Sequence, residues 1–219
     1  MLKITASLLA ADFTCLGEEA RRAEKAGADF LHFDIMDGYY VENMALSPYE
    51  VRALRAVSGL PFDLHFEVRD PLQVIRSFKG LKPAQMNVMY DSISDFDAVF
   101  DLIRSEGAQV GLSINPADPV EVIRPLLSKI DMLMVMAVRP GFGNQKHSPE
   151  TPVRVAQVRR IMEEEKRVVS IGSDGGINLD NVGALLQAGA DFLVIGTTLY
   201  RAQDMGATIR QIHKMAGRG

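Results

Sequence analysis

Short apolar runs recur along the chain, each followed by a longer stretch in which apolar residues return at every third or fourth position. The runs cover Lys3 to Leu8, Phe30 to Met36, Phe62 to Val68, Gln85 to Met89, Gln109 to Ile114, Met132 to Val138, Arg167 to Gly172 and Phe192 to Ile195. Runs this short, set between turn-forming and polar residues, read as buried strands. The intervening spacing predicts helices over Leu16 to Ala26, Pro48 to Val57, Pro71 to Phe78, Phe96 to Arg104, Val120 to Leu127, Val153 to Glu164, Val182 to Ala188 and Met205 to Met215. Glycine stands where three of the helical patterns stop: Gly27 before Ala28-Asp29-Phe30, Gly189 before Ala190-Asp191-Phe192, and Gly107 before Ala108-Gln109. A glycine there takes the left-handed conformation that closes a helix.

Strands that alternate with helices form parallel βαβ units. Spaced at roughly 27 residues, such units fill 219 residues as a single (β/α)8 TIM barrel does. The rival architecture is an open doubly wound sheet, which differs in strand order. No Pro/Gly/Ser-rich linker divides the chain, so residues 1–219 are expected to form one α/β barrel domain.

With 47% hydrophobic and 24% charged residues, the chain has enough apolar material for a full core. Its net charge of -4, with Lys and Arg scattered, provides no basic field for nucleic acid. Cys15 is the only cysteine. It excludes an intrachain disulfide, fits a reducing compartment and reads as a small packing residue near a helix start. The stretch Ile4 to Ala11 is too short and polar for a secretory core, and Met132 to Val138 is too short to cross a bilayer. A cytoplasmic protein without membrane contact is expected.

Barrels carry their chemistry at the C-terminal ends of the strands. The second run ends in His32-Phe33-Asp34-Ile35-Met36-Asp37-Gly38, where alternation aims His32, Asp34 and Met36 to one face. The third ends in His65-Phe66-Glu67-Val68, and Ser173-Asp174-Gly175-Gly176 follows the seventh. Converging at one end of a sheet, His32, Asp34, His65 and Asp174 supply two imidazoles and two carboxylates for a divalent metal, with Zn, Mn, Fe or Co all suited. Glycine-rich turns close the last three strands: Pro140-Gly141-Phe142-Gly143-Asn144-Gln145, Asp174-Gly175-Gly176 and Gly196-Thr197-Thr198. Singly each is only a turn. Together they expose backbone N–H groups to an anion, and a short helix opening after Gly196 adds its dipole, so a phosphate is expected.

The runs Ser7-Leu8-Leu9-Ala10-Ala11-Asp12, His32 to Gly38, Asn115-Pro116, Val135 to Gly143, Asp174-Gly175-Gly176 and Gly196-Thr197 together resemble the ribulose-phosphate 3-epimerase family, in family order. The resemblance implies a phosphate-binding barrel that epimerises C3 of a ketose phosphate, pentulose or hexulose, with one divalent metal per chain. His32, Asp34, His65 and Asp174 match the family's metal ligands, and Asp34 and Asp174 its paired acid and base. The substrate side then comprises Ser7, Met36, Glu67, Met136, Gly141, Phe142, Gly143, Asn144, Gly175, Gly176, Gly196 and Thr197. A C3 proton next to a C2 ketone leaves one face and returns to the other, so each face needs its own carboxyl group. The expected partners are the sugar phosphate and further copies of the chain.

Several positions depart from the family pattern. Its third strand usually reads His-Leu-Met-Val, so Glu67 replaces a methionine; it shares the face of His65. Its expected partner is a substrate hydroxyl, a metal-bound water, or Arg69 or Arg139 folded inward; the alternative is an exposed ion pair at the rim. Met89-Tyr90-Asp91 stands where His-x-Glu is usual, Glu42 where Pro is usual, Asn144 where Gly is usual, and His147-Ser148 where Phe-Ile is common. For His147 a surface position and a substrate contact are both open, whereas His213 reads as an ordinary exposed helix histidine. A sugar-phosphate-binding barrel without turnover is the second functional reading. A lyase or decarboxylase would want an Asp-x-Lys pattern where the chain has Asp34-Ile35-Met36.

Overall fold

The structure is a computed structural model that describes residues 1–217. In chain order its elements are β1 (Lys3–Ser7), α1 (Leu16–Ala26), β2 (Phe30–Asp37), β3 (Met44–Ala45), α2 (Pro48–Arg55), β4 (Phe62–Glu67), α3 (Pro71–Ser77), β5 (Gln85–Met89), α4 (Phe96–Ser105), β6 (Gln109–Ile114), β7 (Met132–Met136), α5 (Thr151–Glu164), β8 (Ser170–Asp174), α6 (Val182–Ala188), β9 (Phe192–Ile195), α7 (Thr197–Tyr200) and α8 (Met205–Met215). The parallel strands run β1-β9-β8-β7-β6-β5-β4-β2, and β1 pairs with β2 to close the ring. This is the TIM barrel that the alternating pattern predicts, and closure excludes the open sheet. The short β3 folds back antiparallel on the end of β2, with Ala45 opposite Met36.

Between barrel and helices lies the main core, which includes Phe33, Phe62, Phe66, Leu64 and Ile171, all fully buried. Inside the barrel a smaller cluster of Met89, Met132, Met134, Met136, Phe192 and Val194 fills the space below the strand ends. Gly27 and Gly189 close α1 and α6 with φ of 92° and 102°, in the left-handed region that glycine adopts without strain.

Two expected elements differ. The stretch Val120 to Leu127 is a 3-10 helix over Val120–Leu126, because Pro125 inside it lacks the N–H that an α-helical ladder needs. The seventh barrel strand is Ser170–Asp174, not Arg167 to Gly172. Val168, which mimics a strand start by composition, is 99% exposed. The shift places Asp174 as the last strand residue, where its backbone is fixed by pairing with β7 and β9. Among the described residues no helix is long and apolar enough to cross a membrane.

Candidate active site

Register brings the histidines and Asp34 together. On β2 and β4, His32 is the partner of Asp63 and Asp34 the partner of His65, and parallel partners aim their side chains to the same face. That face is the barrel interior, since His32 and His65 are 0% exposed and Asp34 is 4% exposed. His32 Nε2 lies 3.2 Å from Asp34 Oδ1 and 3.8 Å from Asp174 Oδ2. His65 Nδ1 lies 3.9 Å from the same Asp34 oxygen and 3.8 Å from the same Asp174 oxygen. One nitrogen or oxygen from each of the four residues falls within 4.8 Å of all the others.

These donors fit a divalent cation. Among the described residues His65 Nδ1, which is buried, has no hydrogen-bond partner, a cost that a ligated ion removes. His32 Nδ1–H donates to Asp63 Oδ2 across 2.6 Å, and Asp63 Oδ1 accepts from Asn87 Nδ2, also at 2.6 Å. That outer carboxylate fixes the ring so that Nε2 faces Asp34 and Asp174, the usual support of a metal-ligating histidine. Electrostatics agree. Burial disfavours a charged His32, yet Asp34 and Asp63 raise its pKa well above the ordinary value, the mark of a negative field that favours a cation. Burial pushes His65 down to about 4, and the neighbouring His32 adds to the effect. Burial, with the charges of Asp34 and Asp63, pushes Asp174 up to about 7. Burial also works to raise Asp34, but His32, His65 and the Ser7 hydrogen bond hold it below the ordinary range.

Above the cluster opens a cavity of about 240 Å³. Its walls include Asp34 and Asp174 and each of the twelve residues of the anticipated substrate side: Ser7, Met36, Glu67, Met136, Gly141, Phe142, Gly143, Asn144, Gly175, Gly176, Gly196 and Thr197. Ser7 Oγ–H donates to Asp34 Oδ2 over 2.8 Å. Asn144 takes a left-handed φ of 60°, a conformation that asparagine tolerates better than most residues other than glycine. Glu67 is 2% exposed, with Oε1 4.0 Å from His65 Nδ1 and Oε2 without a partner. Burial, then the charges of Asp34 and Asp174, raises its pKa well above the ordinary value. Neither arginine reaches it: Arg69 and Arg139 are both exposed. The strand ends at Glu67, so the alternation that would turn Arg69 inward stops there.

Asp63 and Asn87 also belong to the site, and the signal for Asp63 in the sequence is its spacing of two residues from His65, on the same face. A further link joins Tyr40, Asp91 and Asn115. Tyr40 O–H donates to Asp91 at 2.7 Å, and Asn115 Nδ2 donates to both, at 2.8 and 3.0 Å. The place of the usual His-x-Glu thus holds Met89, whose sulfur lies 3.3 Å from His65 Nε2, and an Asp91 tied to the loop after β2. His147 is buried and lies outside the cavity wall, so it is neither a surface residue nor a wall contact. His213 lies half-buried on α8.

Comparison with known proteins places these features in one family. The model of the ribulose-phosphate 3 epimerase family matches residues 3–200. The ribulose-phosphate 3-epimerase of Bacillus subtilis (strain 168) is 34% identical over 213 residues, spanning 97% of this chain and 98% of that one. The enzyme of the same name from Escherichia coli (strain K12) is 32% identical over 210 residues, 95% and 93% of the two chains. Among solved structures, KGPDC from Streptococcus mutans superposes with a TM-score of 0.75 at 10% identity, covering 99% of this chain and 98% of that chain. At that identity the likeness speaks for the fold alone.

Proposed function

The chain belongs to the ribulose-phosphate 3 epimerase family, and from that premise we propose that it interconverts C3 epimers of a ketose phosphate: D-ribulose 5-phosphate and D-xylulose 5-phosphate, or a related pentulose or hexulose phosphate. It is an isomerase acting on carbohydrate phosphates, as its relatives are. The observation that carries the finer reading is the convergence of His32, Asp34, His65 and Asp174 within 4.8 Å, with both carboxylates lining a cavity whose wall also includes Gly141, Gly143, Gly175, Gly176 and Gly196.

Asp34 on β2 and Asp174 on β8 are separated around the rim by β1 and β9. Each presents a carboxyl group to the cavity, so a sugar lying between them meets one on either face. One carboxylate removes the C3 proton from its face, and the other carboxyl group returns a proton to the opposite face of the planar enediolate. The Ser7 hydroxyl holds Asp34 Oδ2 and thereby fixes the orientation of that carboxylate. Met36 and Met136, both buried, give the reacting carbon an apolar wall that keeps water away. Gly141, Gly143, Gly175, Gly176 and Gly196 allow backbone N–H groups to approach the phosphate. A divalent ion held by the four ligands, Zn, Mn, Fe or Co, supplies Lewis-acid stabilisation of the developing negative charge, worth several kcal/mol.

The test is an interconversion assay over a panel of ketose phosphates, before and after chelation and metal restoration. Turnover of at least one C3 pair, lost on chelation and regained with metal, is expected. Phosphate binding without turnover of any pair would leave a sugar-phosphate-binding barrel in its place.

A further inference from the structure

We propose that His147 is a positioning residue for the anion loop: by holding the Gly175 carbonyl, it turns the N–H of Gly176 toward the substrate's phosphate. The inference rests on the phosphate reading of the glycine turns given above. His147 Nδ1–H donates to Gly175 O across 2.7 Å. Among the described residues no peptide bond is cis, and in a trans peptide the C=O and the N–H point in opposite directions. A Gly175 carbonyl drawn down to His147 therefore sends the Gly176 N–H the other way, toward the cavity that both glycines line. Among the described residues that N–H has no backbone acceptor.

The clamp has a reason to exist. Gly175 and Gly176 have φ of 110° and 62°, and two successive glycines are free to take several other conformations. A Cβ on Gly176 would come within 2.5 Å of Gln145 O and 2.7 Å of His147 N, so the backbone of residues 145–147 also presses directly on the loop. That segment is itself anchored, since Gln145 Nε2 donates to Arg139 O and Phe142 O at 2.7 Å each, and Ser148 N–H donates to Ala137 O at 3.0 Å. His147 thus ties the loop after β7 to the loop after β8. Its Nε2 is buried without a partner among the described residues, a cost that a phenylalanine in its place would not carry.

The experiment compares wild type, His147→Phe and His147→Asn as metal-loaded full chains. It titrates inorganic phosphate by calorimetry and follows the backbone amide resonance of Gly176. His147→Phe should weaken phosphate binding by about tenfold, raise KM for the sugar phosphate by a similar factor with kcat within about threefold, and abolish the phosphate-induced shift of the Gly176 amide. His147→Asn, whose side-chain NH2 can donate to the same carbonyl, should recover most of all three. Wild-type affinity and an unchanged Gly176 shift in His147→Phe would overturn the role of His147 while leaving the phosphate reading intact, as would an Asn variant no better than Phe. Absence of phosphate binding by the wild type would instead remove the phosphate reading, and this inference with it.

Discussion

Asp63 and His32 are register partners across β4 and β2, joined at 2.6 Å from His32 Nδ1 to Asp63 Oδ2. Both are fully buried, and Asn87 on β5 holds the second carboxylate oxygen. Three strands therefore fix the tautomer and the angle of one imidazole before any ion arrives. Outer partners of this kind commonly contribute 10- to 100-fold to metal affinity. Asp63→Asn should weaken metal binding by that order, read by competition with a chelator of known affinity, with far-ultraviolet circular dichroism unchanged. Affinity within about twofold of wild type would make the Asp63 contact a packing feature only.

Metal content gives a second prediction. Close to one divalent ion per chain is expected, and His65→Ala should lower occupancy, because His65 Nδ1 has no other partner in the barrel. Chelation should lower Tm as well as activity, since an ion bound only by the native state stabilises it by mass action. Undiminished occupancy in His65→Ala would exclude this ligand set.

Glu67 gives a third. Its carboxylate is buried beside Asp34 and Asp174, and Oε2 lacks a partner, so in the absence of substrate it costs stability. Glu67→Met should stabilise the metal-free protein by about 1–3 kcal/mol, the desolvation cost of such a group, seen as a higher Tm. The same variant removes a carboxyl group from the cavity wall and should change the kcat/KM ratios among ketose phosphates by about tenfold. Unchanged ratios with normal metal content would move substrate choice to the loops after β2 and β7.

These residues also mark what was legible in the sequence. Strand alternation was enough to put His32 and Asp34 on one face and to turn Glu67 inward, because a period of two is written in every strand. Depth inside the barrel is not written there. It comes from the register between β2 and β4, which is why Asp63, spaced correctly from His65, was passed over. Of the partners expected for Glu67, the two arginines do not reach it: alternation stops at the strand end before Arg69, and Arg139 is exposed. His147 sits in a loop, where no period fixes direction, so its bond to Gly175 had no signature in the chain. Composition misled at Val168, apolar but fully solvated ahead of β8, and Pro125 decided between an α- and a 3-10 helix where apolar spacing did not.

The central claim is proton transfer at C3 by Asp34 and Asp174 from opposite faces. It is tested most directly by incubating the metal-loaded protein with each C3 epimer in D2O and following deuterium at C3 by NMR. Wild type should place deuterium at C3 of both epimers. Asp34→Asn and Asp174→Asn, with metal restored, should each lose epimerisation by at least about a thousandfold, while the carboxylate left in each variant still exchanges the C3 proton of the epimer it faces. Epimerisation retained within about tenfold in both variants, or interconversion by the wild type with no deuterium at C3, would contradict the account.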